Sequence, residues 1–130
     1  MRRVACIVLG AALLVAGVQA AAGDVASAGQ ATPSRLGVRG DEFDLVLSRT
    51  RLAPGPALVQ FQNAGEDPHD LRMARIGATG ELGTGEVPSG AVESFEVGWL
   101  KRGSTYRLWC SLPSHVDWGM EANVRVKRRR

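Results

Sequence analysis

The chain has 130 residues, a length that suits one domain, and it carries 16 basic and 13 acidic residues for a formal net charge of +3. Only 5% of the residues are aromatic, and the basic residues form no stripe interleaved with aromatic ones. We therefore expect no nucleic-acid partner.

The first twenty residues have the composition of an export signal. Arg2 and Arg3 precede an uninterrupted run of apolar and small residues over 4–18, and Ala20 ends an A-x-A-like segment. This pattern predicts a signal peptide over residues 1–20, cleaved after Ala20, and export to the periplasm or the outside of the cell envelope. The alternative is a membrane tether, because the low-polarity stretch reaches Ala22 if a glutamine within it is tolerated.

Residues 21–34 are rich in Ala, Gly, Ser and Thr without periodicity, which predicts a flexible leader before a domain over residues 35–130. Removal of residues 1–20 leaves fourteen basic residues against thirteen acidic ones. The positive charge is concentrated in a basic C-terminal tail, residues 127–130. We interpret this tail as a solvated end, with contact to an acidic partner or an anionic membrane surface as a weaker alternative.

After residue 35 the sequence contains short segments in which apolar and polar residues alternate, separated by Gly, Pro, Asn and Asp. Apolar residues in this part do not recur with a helical period. The pattern predicts an all-β sandwich or barrel of about seven strands. The predicted strands are residues 35–38, 42–47, 57–62, 70–76, 92–97, 105–110 and 121–127. Either a poorly ordered loop or a brief helical turn fits the long intervening segment 77–90.

Three side chains that can bind a metal are predicted to point into the core. In a strand, residues two apart lie on the same side, so the apolar residues of each strand show which side faces inward. The predicted inward-facing sets are Tyr106, Leu108 and Cys110; Met120, Ala122, Val124 and Val126; and His69, Leu71 and Met73, with Asp70 and Arg72 on the opposite, outer face. We therefore expect His69, Cys110 and Met120 to point toward the core from strand ends.

These residues belong to a wider constellation. Cys110 is the only cysteine left after the expected cleavage, so no intramolecular disulfide can form. Four residues separate it from His115, and four more separate His115 from Met120. The other histidine, His69, directly follows a predicted turn over residues 63–68. One loop and one neighbouring turn can thus bring four candidate ligands to one centre.

The donor types favour copper. Two imidazoles and a thiolate with a weak axial thioether suit both Cu(I) and Cu(II), because soft sulfur favours the reduced ion and imidazole tolerates the oxidised one. Zinc is the alternative, although it gains little from a methionine ligand. Taken singly, each residue also has an ordinary structural explanation as a core or loop residue.

The segment from Cys110 to Met120, preceded by residues 63–69, resembles the cupredoxins, the small blue copper proteins. The equal spacing is most similar to the auracyanin, rusticyanin and sulfocyanin branch. The resemblance implies a Greek-key β-sandwich over residues 35–127 that holds one copper ion, with His69, Cys110 and His115 as equatorial ligands and Met120 as the axial one. It also implies a single-electron carrier between redox proteins of cytochrome or oxidase type. We expect a monomer.

One residue departs from the family pattern. Many cupredoxins have Asn or Ser after the first histidine, where this chain has Asp70. In the family this side chain ties the histidine strand to the loop after the cysteine, so we expect Asp70 to accept hydrogen bonds from the backbone or hydroxyl of Ser111. Our hypothesis is that its charge favours Cu(II) and lowers the reduction potential.

An apolar rim near His115 is expected from Pro113, Val116 and Trp118, either as simple packing over the loop or as a shallow docking patch for the redox partner. Two alternative functions use the same sequence features: a copper-trafficking protein with the same ligands, and a metal-free interaction domain. We expect no enzyme activity, because one metal site uses both histidines and no nucleophile constellation is present in the sequence.

Overall fold

The computed structural model describes residues 31–128. The predicted signal peptide, most of the predicted leader and the last two arginines lie outside the described residues. Within the described range, no helix has the length and apolar character needed to cross a membrane.

Nine β-strands follow one another in the described chain without an intervening helix. They are β1 (Ser34–Asp41), β2 (Asp44–Leu47), β3 (Arg51–Leu52), β4 (Gly55–Asn63), β5 (Arg72–Arg75), β6 (Leu82–Gly83), β7 (Val92–Leu100), β8 (Thr105–Trp109) and β9 (Glu121–Val126). Each of the seven strands of four or more residues overlaps one of the seven predicted strands. The all-β prediction is therefore confirmed.

The strands form two sheets that pack face to face as a β-sandwich. One sheet has the order β2-β1-β4-β7, and the other has the order β3-β9-β8-β5-β6. Most neighbours are antiparallel, but β1 pairs in parallel with β4, and β3 pairs in parallel with β9. The pairs β1/β2, β5/β6 and β8/β9 are neighbours within a sheet, and every other connection crosses between the two sheets. Loops from both sheets therefore meet at one end of the sandwich.

The core lies between the two sheets and follows the two-residue alternation of the strands. Strand β4 buries alternate residues, among them Val59 and Phe61, both with no exposed surface. In β8 the inward residues Tyr106 and Leu108 lead to Cys110, and all three are buried. The residues of this strand predicted to face inward are therefore buried, and the thiol of Cys110 at its end is buried with them.

Some predicted boundaries are wrong. Strand β1 continues to Asp41, well past the predicted end at residue 38, because its parallel neighbour β4 supplies hydrogen-bonding partners along its length. Strand β5 begins at Arg72 rather than at residue 70, and Asp70, predicted on the outer face, is buried. Residues 77–90 contain the two-residue strand β6 and no helical turn, since backbone pairing with β5 sets the local conformation.

The central position of Leu108 gives a test of this core. Truncation of Leu108→Ala should lower the free energy of unfolding by about 2 to 5 kcal/mol, because it leaves a cavity between the sheets. Val46→Ala serves as the control, since Val46 is 52% exposed and its truncation should cost less than about 0.5 kcal/mol. Urea denaturation measures both values, and similar losses in the two variants would contradict the described packing.

Candidate metal centre

Three donor atoms from two loops converge at one end of the sandwich. His69 lies in the connection between β4 and β5, Cys110 directly follows β8, and His115 lies in the turn before β9. The Nδ1 atoms of the two histidines are 3.1 Å apart, and the Cys110 Sγ lies 3.4 Å from the His115 Nδ1. The donor atoms of all three residues lie within 4.8 Å of one another.

The His69 ring is placed by a buried backbone framework. The backbone N–H of His69 donates to the Val87 carbonyl, and the Val87 N–H donates back at 2.7 Å. Asn63, with no exposed surface, donates from its side-chain Nδ2 to the carbonyls of Asp67 and Val87, both at 2.8 Å, and accepts the Gly65 N–H. These bonds hold the connection in a single conformation, and His69 is fully buried within it.

Backbone hydrogen bonds also close the loop from Cys110 to Met120. The Cys110 N–H donates to the Met120 carbonyl at 3.1 Å, and the Met120 N–H donates to the His115 carbonyl at 2.9 Å. Met120 is fully buried, and its methyl group lies against Gly40, where an added Cβ would stand 3.1 Å from that methyl and 2.8 Å from the Phe61 ring. Glycine at this position therefore lets β1 pack closely over the methionine.

Asp70 joins the two loops. Its Oδ1 accepts the Ser111 N–H at 2.5 Å, and its Oδ2 accepts the Ser111 hydroxyl and the Arg72 Nε–H, the latter at 3.1 Å. Burial raises the pKa of Asp70, but the hydrogen bonds from the hydroxyl and backbone of Ser111 outweigh it, so the pKa lies below its ordinary value. The carboxylate is thus ionised and paired with the Arg72 guanidinium, a partner that the sequence analysis did not identify.

Glu42 is a residue of this site that the sequence analysis missed. Its Oε1 lies 3.3 Å from the His69 Nε2 and accepts the backbone N–H groups of Glu66 and Asp67 at 2.6 and 3.0 Å. Hydrogen bonds, first from Asp67 and then from Glu66 and His69, lower the pKa of Glu42. Gly65 leaves room for this carboxylate, because an added Cβ would collide with it.

The Glu42 contact defines the orientation of the His69 ring. With Nε2 as the donor to a carboxylate, the Nδ1 lone pair is free to face the other two donor atoms. No local pattern in the sequence indicated this contact, since the two residues are 27 positions apart and Glu42 lies in a segment that the alternation assigned to a strand.

An aromatic cluster covers the outer side of the centre. The Phe43 ring centroid is 4.9 Å from that of His115 and 4.4 Å from that of Trp118. The rings of His115 and Trp118 are stacked at 5.8 Å, and Trp118 is 59% exposed. Pro113 is exposed and Val116 is half-buried on the same loop. Phe43 is a second residue that the sequence analysis missed.

The donor set fits one copper ion. Ligands at about 2.0 to 2.3 Å from a shared ion lie roughly 3.3 to 4 Å apart, and the observed separations of 3.1 and 3.4 Å are close to this range. Burial raises the pKa of the Cys110 thiol, against hydrogen bonding from the backbone of Asp70 and Leu112. A metal ion would displace the thiol proton, so we expect binding to release protons and to weaken in acid.

No protein-family model and no curated protein matches the chain. Solved structures do match. The dithionite-reduced auracyanin of Roseiflexus castenholzii is 17% identical, with a TM-score of 0.59 over 71% of this chain and 95% of that one. Auracyanin B is 19% identical, with a TM-score of 0.59 over 74% of this chain and 91% of that one. The chain therefore has the cupredoxin fold, as the resemblance in its sequence implied.

The pH dependence of stability tests the Asp70 contacts. Because the pKa of Asp70 is lowered on folding, its charge stabilises the fold at neutral pH, and this contribution is lost as the pH falls through the lowered pKa. Asp70→Asn should therefore reduce the free energy of unfolding by about 1.5 to 3 kcal/mol at neutral pH and by less at about pH 3.

Urea denaturation at the two pH values checks this expectation, with Asp117→Asn as the control. Asp117 is exposed in the same loop, so its replacement should have little effect at either pH. An equal loss for Asp70→Asn at both pH values would show that its charge contributes nothing.

Proposed function

We propose that the protein is a type 1 blue copper protein that carries single electrons between redox partners in the cell envelope. The observation that carries this proposal is the convergence of two imidazole nitrogens and one thiol sulfur, all within 4.8 Å, at one end of a cupredoxin fold. The proposed ligands are His69, Cys110 and His115 in the equatorial positions and Met120 in the axial one. A copper ion bound there would supply a one-electron couple between Cu(I) and Cu(II).

The residues around the site support a carrier because they fix the donors in place. His69 and Cys110 have no exposed surface, which keeps water from two of the three donors. Glu42 fixes the His69 ring, and Asp70 fixes the loop that follows Cys110. Donors held in this way move little when the charge at the centre changes, which favours fast electron transfer over release of the metal.

Access to the site is proposed to run through His115, which is only half-buried. Pro113, Val116 and Trp118 lie on the same loop and would form the apolar docking patch for a redox protein of cytochrome or oxidase type. Asp117, which is exposed between two of these residues, would influence the choice of partner through its charge.

Export from the cytoplasm is part of the same proposal. Residues 1–20 would direct export and be removed, and the lone Cys110 would then be the only thiol in an oxidising compartment. Complete burial of its sulfur protects it from forming a bridge with another molecule when no metal is bound.

Copper binding gives the direct test. Titration of residues 21–130 with Cu(II) should give an intense blue absorption that saturates at one equivalent, disappears on mild reduction and returns on oxidation. Cys110→Ser should abolish the intense band because the thiolate is lost, whereas Met73→Leu, a buried methionine in β5 outside the proposed ligand set, should keep it.

Other results of the metal-binding experiments would favour the alternative metal or the alternative functions. A colourless one-to-one zinc complex with no blue copper form would overturn the copper assignment, and absence of any metal binding would favour an interaction domain. Release of copper to a chelator during reversible exchange with a soluble cytochrome would favour trafficking over electron transfer.

The two carboxylates near the site should affect the reduction potential unequally. Asp70→Asn should raise the potential, because a negative charge that favours Cu(II) is removed. Glu42→Gln should raise it further, since Asp70 is paired with Arg72 whereas Glu42 has no basic side chain other than His69 as a partner among the described residues.

Redox titration of the blue band measures these shifts, with Glu66→Gln as the control because Glu66 is an exposed carboxylate of the nearby loop. An unchanged or lower potential in Asp70→Asn would remove the hypothesis for that residue. A larger shift in Asp70→Asn than in Glu42→Gln would contradict the neutralising role assigned to Arg72.

A further inference from the structure

The end of the sandwich opposite the metal centre carries a concentrated positive charge. Strands β1 and β4 begin there, and β7 and β9 end there. Seven exposed basic side chains lie in the segments that meet at this end, and we call them the basic pole. They are Arg49, Arg51, Lys101, Arg102, Arg125, Lys127 and Arg128.

Tertiary pairing brings these residues together. Arg51 of β3 is the direct neighbour of Arg125 in β9, and Thr105 of β8 lies on the other side of Arg125. The side chain of Arg128 lies over Gly103, where an added Cβ would stand 3.4 Å from the arginine Cγ. An open cleft runs between these strands, and basic side chains line much of it.

The segments that carry the basic pole contain no acidic residue, although Glu81 of the β5–β6 connection lines a cleft together with Trp99. Residues 45–65, 97–116 and 122–130 contain no Asp or Glu. Among the described residues, the arginine ion pairs are Arg39–Asp41, Arg72–Asp70 and Arg107–Glu121, so none of them involves the pole. Acidic residues instead surround the metal end, where Glu42, Glu66, Asp67, Asp70 and Asp117 lie. Basic side chains therefore predominate at one end of the domain and acidic ones at the other, despite the small net charge.

Two exposed apolar side chains flank the basic pole. Trp99, two residues before Lys101 and near the end of β7, is 69% exposed. Ile76 is 59% exposed, and its N–H donates to the Thr105 carbonyl, which places it beside β8 at the same end. An exposed tryptophan and an aliphatic residue beside a cluster of cations are the features of a surface that contacts the lipid headgroup region.

We propose that the basic pole docks on a bilayer surface rich in anionic phospholipid, with Trp99 and Ile76 inserted at the interface. Such a surface attracts clustered Lys and Arg side chains, and the aliphatic side chain gains from contact with lipid but not from contact with nucleic acid. The Ser34 hydroxyl donates to the Ala53 carbonyl, which places the beginning of β1 at this same pole.

The proposed orientation has a consequence for the metal end. The basic pole and the loop with His115 lie at opposite ends of the strands, so docking would turn His115 away from the bilayer. The apolar rim around Trp118 would remain free for a protein partner while the domain is held at the membrane. Docking requires no metal ion, so it can be tested independently of copper binding.

The experiment measures cosedimentation of residues 21–130 with vesicles, since all buried core residues of the described chain lie between Leu36 and Val126 and are retained. Vesicles of phosphatidylcholine with phosphatidylglycerol should bind the protein, binding should fall as salt is added, and pure phosphatidylcholine should bind little. The double variant Arg51→Gln with Arg125→Gln should bind on the order of twenty-five-fold more weakly, at about five-fold for each cation removed.

Two matched controls separate position from net charge. Arg39→Gln with Arg107→Gln removes the same charge outside the pole and should bind much less weakly than the double variant at the pole. Trp99→Ala should reduce vesicle binding, whereas Trp118→Ala, an equivalent exposed tryptophan at the metal end, should not.

Three results would overturn the proposal: no binding to anionic vesicles, equal binding to neutral vesicles, or equal losses from the two arginine pairs. Tight binding to duplex DNA without binding to vesicles would assign the pole to nucleic acid instead. Circular dichroism and urea denaturation of each variant establish that it is folded before its binding is compared.

Discussion

The buried carboxylate of Asp70 joins the two chain segments that carry the donor atoms, and the metal centre depends on this contact. Both Ser111 donors, the backbone N–H and the hydroxyl, are bonded to it, so the loop after Cys110 is fixed to the strand that follows His69. A buried charge is costly unless it is paired and hydrogen-bonded. Arg72 and Ser111 satisfy the hydrogen-bonding capacity of Asp70, which makes a charged residue compatible with this buried position.

Around this contact the side chains of the site differ in exposure, in a way that agrees with the proposed electron carrier. His69, Cys110 and Met120 are fully buried, whereas His115 is half-buried beneath an exposed tryptophan. The inner residues hold donors in place and exclude water, and the outer ring lies close to the surface where a partner could approach. Glu42 completes the inner part, because it orients the His69 ring from the side opposite to the other donors.

The two ends of the domain differ in charge. Acidic side chains surround the metal end, and seven exposed cations without ion pairs in the described chain occupy the other end. A net charge of +3 conceals this separation, since opposite charges cancel in the sum but not in space. The β-sandwich separates the charges because its strands run from one end of the domain to the other. Each loop therefore lies at one end only.

The sequence by itself determined the strand alternation, the inward phase of Cys110, His69 and Met120, and the ligand candidates, because side chains alternate in any extended strand and four-residue spacings fit within one loop. Only the tertiary structure decided the parallel pairing of β1 with β4, the contact of Glu42 with His69, the Arg72 ion pair and the meeting of Arg51 with Arg125. Each of these features depends on which residues are neighbours in space or on where a side chain points. A local sequence pattern does not determine which distant segment becomes a neighbour. Burial of Asp70 is the clearest case: its phase predicted the outer face, but the neighbouring loop covers it.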